Sequence, residues 1–77
     1  ADLFAIMRKR RKEIADGANL PPFTIFHDRT LKEMASLLPQ TREELSQVYG
    51  VGAAKLDKYG GIFIELIREH CRTRQTL

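Results

Sequence analysis

The sequence predicts an all-α domain: a compact five-helix bundle with a helix-hairpin-helix-like turn. Three observations carry this. Apolar residues recur at i, i+3, i+4 and i+7, most clearly at Leu31, Met34, Ala35 and Leu38. Helix punctuation is present at Asp28 as a cap, at Thr41 with Glu44 as a capping box, and at Pro39 as a stop. No stretch alternates apolar and polar residues in the manner of a strand.

Residues 2–17 read as the first helix, with Leu3, Phe4, Met7 and Ile14 on one stripe and Arg11 in its gap. Arg11 is expected to lay its alkyl stem on the core and send its guanidinium to solvent or to a carboxylate. Lys9 and Lys12, with Arg8 beside them, point to the opposite side. Asp2 suits the positive end of the helix dipole, and Gly17 reads as the stop. The run LPPFTIFH follows, and its tandem Pro21-Pro22 forbids helix and extends the chain. Phe23, Ile25 and Phe26 are too apolar for a free loop. Strict alternation would place Phe23 and Ile25 on one side and Phe26 on the other, and Phe23 is the aromatic favoured for exposure.

The second helix covers 29–38, capped by Asp28 and ended by Pro39. A short third helix runs from the Thr41 cap to about Tyr49 and buries Leu45 and Val48. Gly50-Val51-Gly52 turns the chain into a fourth helix carrying Ala53, Ala54, Leu56 and Tyr59. Gly60-Gly61 is expected to weaken or bend that helix, at about 1 kcal/mol per glycine relative to alanine. A fifth helix over 62–72 turns Ile62, Phe63, Leu66 and Ile67 inward, and the tail at 73–77 is expected to fray.

The 77 residues make one domain, 1–77, with the folded part at about 2–72. A chain of this size buries only about 60% of the surface its unfolded form exposes, which leaves little room for an internal active site. The single cysteine, Cys71, permits no internal disulfide and fits a reducing compartment. No apolar run approaches the roughly 20 residues that span a bilayer, so no membrane is expected as a partner. The chain shows no signal-peptide pattern, begins at Ala1, and reads as a piece of a longer protein.

Net charge is +3, and its distribution says more than its size. Residues 1–20 carry five bases against three acids, and residues 51–77 also carry five against three. The middle, 21–50, carries three bases against four acids. If the first and last helices lie side by side, their bases form one face suited to a polyanion.

No catalytic constellation is visible. His27 and His70 stand outside any metal-ligand spacing, and the pair His70-Cys71 reads as a capping imidazole and a small buried thiol. Gly-Val-Gly-Ala-Ala-Lys lacks the second glycine, the Ser or Thr and the preceding strand of a nucleotide-binding loop. The domain alone is therefore expected to be no enzyme and to hold no cofactor. Gly50-Val51-Gly52 is the more specific signal. It resembles the hairpin of helix-hairpin-helix motifs, whose free helix-start amides grip backbone phosphates. Lys55 and Lys58 stand within the next two turns. The alternative is that the glycines only tighten a corner between helices.

Taken in order, MRKRRKEIA, LPPFTIFHDRTLKEMA and LPQTREELSQVYGVGAAKLDKYG, followed by an apolar helix, resemble the HRDC (helicase and RNase D C-terminal) domain. The likeness is to the HRDC domains of bacterial RecQ helicases and runs from about Leu3 to Arg72. It implies a five-helix bundle of HRDC type that serves a DNA helicase as an auxiliary module, binding single-stranded or branched DNA and tuning substrate preference in recombination and repair. The ATP and Mg would belong to the parent helicase, in the bacterial cytoplasm at the nucleoid. The resemblance associates the aromatic after the tandem proline, here Phe23, with the DNA-contacting face. The candidate DNA-binding set is Phe23, Gly50, Gly52, Lys55, Lys58, Arg8, Lys9 and Lys12, on a monomer. The resemblance equally implies a second reading, a protein-interaction or intramolecular regulatory domain that docks on the parent helicase core or other repair proteins.

Overall fold

The computed structural model describes residues 2–75, without the Gln75 side chain. Among these it contains four α-helices and one 3-10 turn: α1 (Leu3–Ala18), the turn Pro22–Thr24, α2 (Asp28–Leu37), α3 (Arg42–Ser46) and α4 (Ala53–Gln75). The expected fourth and fifth helices are one. Gly60-Gly61 neither breaks nor ends α4, because its surroundings keep it helical. A Cβ at Gly60 would lie 2.9 Å from Leu56 Cδ1 and 3.5 Å from Leu45 Cδ2, so this glycine marks the close approach of α3 to α4. Helix α4 reaches Gln75, and the rest of the tail expected to fray lies outside the described residues.

The termini follow local chemistry with several shifts from the sequence reading. Asp2 caps α1, its carboxylate accepting from the Ala5 amide at 2.8 Å. Gly17 lies inside α1, and Asn19 ends the helix in the left-handed region with φ 59°. His27, not Asp28, occupies the N-cap of α2, because Asp28 is drawn away to Arg11. Leu38 takes the left-handed C-cap position of α2 at φ 53°, which turns it outward instead of continuing the apolar stripe. Helix α3 stops at Ser46 rather than near Tyr49. Thr41 Oγ1 accepts from the Glu44 amide at 3.1 Å, while the Glu44 carboxylate accepts from the Gln40 amide at 2.8 Å, one residue before the usual box partner.

The core gathers Leu3, Met7 and Ala15 from α1, Leu31 and Met34 from α2, Leu45, Val48 and Val51 around α3, and Phe63, Ile64 and Ile67 from α4. Ile25 and Phe26 complete it together. Strict alternation fails here because Pro22–Thr24 coils into a 3-10 turn and rotates the side chains that follow. Phe26 stands edge-on to Phe63, with centroids 5.2 Å apart, and to Tyr59 at 6.1 Å. Arg11 is buried as its place in the stripe required, and donates to the Phe26 carbonyl at 2.8 Å and to Asp28 at 2.7 Å. His70 lies within α4 rather than at a helix end, so it is not a cap among the described residues. Cys71 is half-buried beside Gln40 rather than fully enclosed.

Candidate nucleic-acid interface

The hairpin between α3 and α4 separates the roles of its two glycines. Gly50 has φ +83°, and a Cβ there would fall 2.4 Å from Thr30 Oγ1, so both backbone and packing demand glycine. Val51 is buried and anchors the turn. Gly52 is exposed with nothing within 4 Å of its Cβ position, and its carbonyl accepts from the Leu56 amide at 2.9 Å to open α4. Gly50 is therefore the corner, while Gly52 borders open space directly before a 23-residue helix, whose first amides have no intrahelical partner.

Lys55 lies in the first turn of α4 with its stem on the core and its Nζ 5.9 Å from the Phe26 ring centroid. Lys58 is exposed one turn on. Neither has an ion-pair partner among the described residues.

Phe23 is 57% exposed, as the sequence favoured. Pro22 begins the 3-10 turn with its φ already set, and Thr24 closes it onto the Pro21 carbonyl through both amide (3.1 Å) and hydroxyl (2.6 Å). The Phe23 ring is held outward against the exposed His27 ring, with centroids 5.9 Å apart and planes at 26°. The first turn of α2 thus stands between the two halves of the candidate set. His27 meets Phe23 on one side, and Thr30 meets Gly50 on the other.

The bases of α1 join this region through Pro22. A groove of about 400 Å³ is lined by Ala5, Arg8, Lys9, Arg11, Lys12 and Pro22. Helices α1 and α4 do pack together, yet no continuous basic face arises from them. Arg68 pairs with Glu65 and Arg72 with Glu69, so the C-terminal half of α4 is mixed in charge. On α1, Lys12 donates to Asp16 at 2.7 Å, which raises its pKa and sets a carboxylate beside its charge. Arg8 and Lys9 have no carboxylate partner among the described residues, and Arg8 lies 5.6 Å over the Phe4 ring. The hydrogen bond from Arg11 holds Asp28 below the ordinary carboxylate range, and the charges of Arg8 and Lys32 act in the same direction.

The sequence reading missed three residues here: His27, Arg29 and Tyr49. The Arg29 guanidinium lies 3.8 Å over the Tyr49 ring, and the Tyr49 amide donates to Glu33 at 2.7 Å. No spacing signals this pairing, since the two partners lie on different elements. The only hint is the position of Tyr49, an aromatic directly before the corner glycine. Among the described residues no group of three His, Cys, Asp or Glu side chains is placed to hold a metal ion. No described helix is long and apolar enough to cross a membrane.

Residues 1–67 match the sequence model of the HRDC domain. The chain belongs to the HRDC family. This HRDC domain is 49% identical over 69 residues to the ATP-dependent DNA helicase RecQ of Haemophilus influenzae, covering 90% of the chain and 11% of that helicase. It is 44% identical over 71 residues to the ATP-dependent DNA helicase RecQ of Bacillus subtilis, covering 92% of the chain and 12% of that protein. The domain thus spans about a tenth of the curated relatives it matches. In fold it is similar to HRDC domain 3 of RecQ from D. radiodurans, with a TM-score of 0.87, 28% identity, and coverage of 91% of this chain and 92% of the other.

Proposed function

We propose that this HRDC domain is an auxiliary nucleic-acid-binding module of a RecQ-like DNA helicase. It binds single-stranded or branched DNA weakly through backbone phosphates and tunes which DNA structures the helicase acts on in recombination and repair. The motor, with its ATP and Mg, belongs to the rest of the parent. The residues here do not fit such a site, since the Gly50-Val51-Gly52 turn follows a helix rather than a strand and no Ser or Thr follows Lys55. The domain works as a monomer in the bacterial cytoplasm, at the nucleoid.

One observation carries this reading. Arg8, Lys9, Arg29, Lys32, Lys55, Lys58 and Arg74 have no carboxylate partner among the described residues, and Phe23 is an exposed aromatic, while Arg10, Arg42, Arg68 and Arg72 are each paired with an acid. Phosphates would lie on the unpaired charges and on the amides after Gly52, contacts that position a strand without reading it. Phe23 would take a base. Titration of labelled oligo-dT, followed by anisotropy at low and moderate salt, tests this. The expected Kd is at the weak end of roughly 10⁻⁴–10⁻⁶ M, with log affinity falling by about 0.7 per phosphate contacted for each unit of log salt. No binding at low salt, or binding indifferent to salt, defeats it.

A second reading, an interaction domain that docks on the helicase core or on other repair proteins, has its own observation. Leu37 and Leu38 are exposed together at the end of α2, at 62% and 36%. That outcome is favoured if oligo-dT does not bind and Leu37→Asp abolishes an effect of the domain on its parent.

A further inference from the structure

Of the six aromatic rings in the chain, Phe26 and Phe63 are buried, and Phe4 and Tyr59 are half-buried. Phe23 and Tyr49 stand out at 57% and 55% exposure. Both flank the start of α2, and each is backed by a side chain from it: Phe23 by the N-cap residue His27, and Tyr49 by Arg29 in the first turn. We propose that Tyr49, backed by Arg29, is a second base-stacking platform, so that a single strand crossing the start of α2 places one base at Phe23 and another at Tyr49.

This rests on the reading of the domain as a single-strand binder and adds a site to it. Three features make Tyr49 a prepared surface rather than a stray exposed ring. Its backbone is fixed by the hydrogen bond from its amide to Glu33, at 2.7 Å. It directly precedes Gly50, whose conformation is set by its own φ and by contact with Thr30. The Arg29 guanidinium, 3.8 Å over the ring, has no carboxylate partner among the described residues. A planar guanidinium on an aromatic face extends the π surface and leaves its N–H edge for a phosphate. Stacking on such a surface tolerates any base, because every base has a π face. The charges of Lys55 and Lys58, on the far side of the Gly50-Val51-Gly52 corner, would hold the backbone next to it.

The test compares the unsubstituted chain with Tyr49→Ala on oligo-dT and on an abasic strand with the same phosphates. The expected result is a loss of about fivefold or more on oligo-dT, no change in salt slope, and no loss on the abasic strand. The chain contains no tryptophan, so Tyr49→Trp places a single reporter at the platform. Its emission is expected to be quenched by oligo-dT and not by the abasic strand. Quenching is read on the folded chain, so it decides the matter even if Tyr49→Ala unfolds. Equal loss on both strands, or an unquenched Trp while anisotropy shows binding, overturns the platform and leaves the DNA reading intact. If the unsubstituted chain binds no oligo-dT at low salt, the DNA reading fails first and the platform falls with it.

Discussion

A Cβ at position 50 would lie 2.4 Å from the Thr30 hydroxyl, a buried oxygen that has no hydrogen-bond partner among the described residues. Residue 50 also sits at φ +83°, where side chains are strained whatever the space. Gly50→Ala is expected to cost roughly 2–4 kcal/mol, from the left-handed backbone and from overpacking. At about 4–8 °C per kcal/mol for a domain of this size, thermal melting resolves it clearly. Thr30→Ala in the same chain is expected to recover the steric part and leave the backbone part. Equal melting of Gly50→Ala and the double variant would show that Thr30 is not the obstacle.

Phe23 and Phe26 are three residues apart and are expected to respond in opposite ways. Phe26→Ala removes a ring packed against Phe63 and Tyr59 and should cost about 3–5 kcal/mol of stability. Phe23→Ala truncates an exposed ring, so the chain should melt within about 0.5 kcal/mol of normal. Its affinity for oligo-dT should fall by about 1–3 kcal/mol at an unchanged salt slope. Early melting with normal binding would make Phe23 a structural residue.

Lys55→Ala should weaken binding to oligo-dT and reduce the salt slope by less than about 0.7, the share of one phosphate. If affinity and slope stay where they were, the Gly50-Val51-Gly52 turn is a corner between helices and no more.

Asp28 supplies a pH dependence. The hydrogen bond from Arg11 lowers its folded pKa from the ordinary 3.8. A carboxyl whose folded pKa is depressed stabilises the fold fully above its unfolded pKa and loses that contribution as pH falls through the folded value. Asp28→Asn should therefore melt lower than the unsubstituted chain near neutral pH, and the two curves should converge in strong acid. Parallel curves across the acid range would remove Asp28 from the account.

The glycines of α4 offer a contrast in sign. Gly61 has nothing within 4 Å of its Cβ position, so Gly61→Ala should raise stability by about 1 kcal/mol through helix propensity. Gly60→Ala meets Leu56 and Leu45 and should gain less or lose. Chemical denaturation ranks them, and the reverse order would refute the packing account of Gly60.

What the sequence determined by itself is what depends on residues three or four apart. The helical stripe of Leu31, Met34 and Ala35, the Thr41 cap and the Arg11 stem on the core were legible because each rests on contacts within a turn or on a short reach to the core. The Gly50 turn was legible because glycine at a tight corner has a local steric cause. What only tertiary structure decided involves partners distant in the chain. Gly60-Gly61 reads as a break, and packing keeps α4 continuous with α3 against Gly60, because side chains buried between helices outweigh about 1 kcal/mol of propensity per glycine. Asp28 reads as a cap, and Arg11 takes its carboxylate from across the fold. Ile25 and Phe26 read as alternating, and the 3-10 turn before them aims both inward. The site follows the same division. Phe23 could be found one residue after the tandem proline. The pairing of Arg29 with Tyr49, and the groove that sets Pro22 beside the α1 bases, exist only once the helices have packed, since no local spacing encodes contact between residues on separate elements.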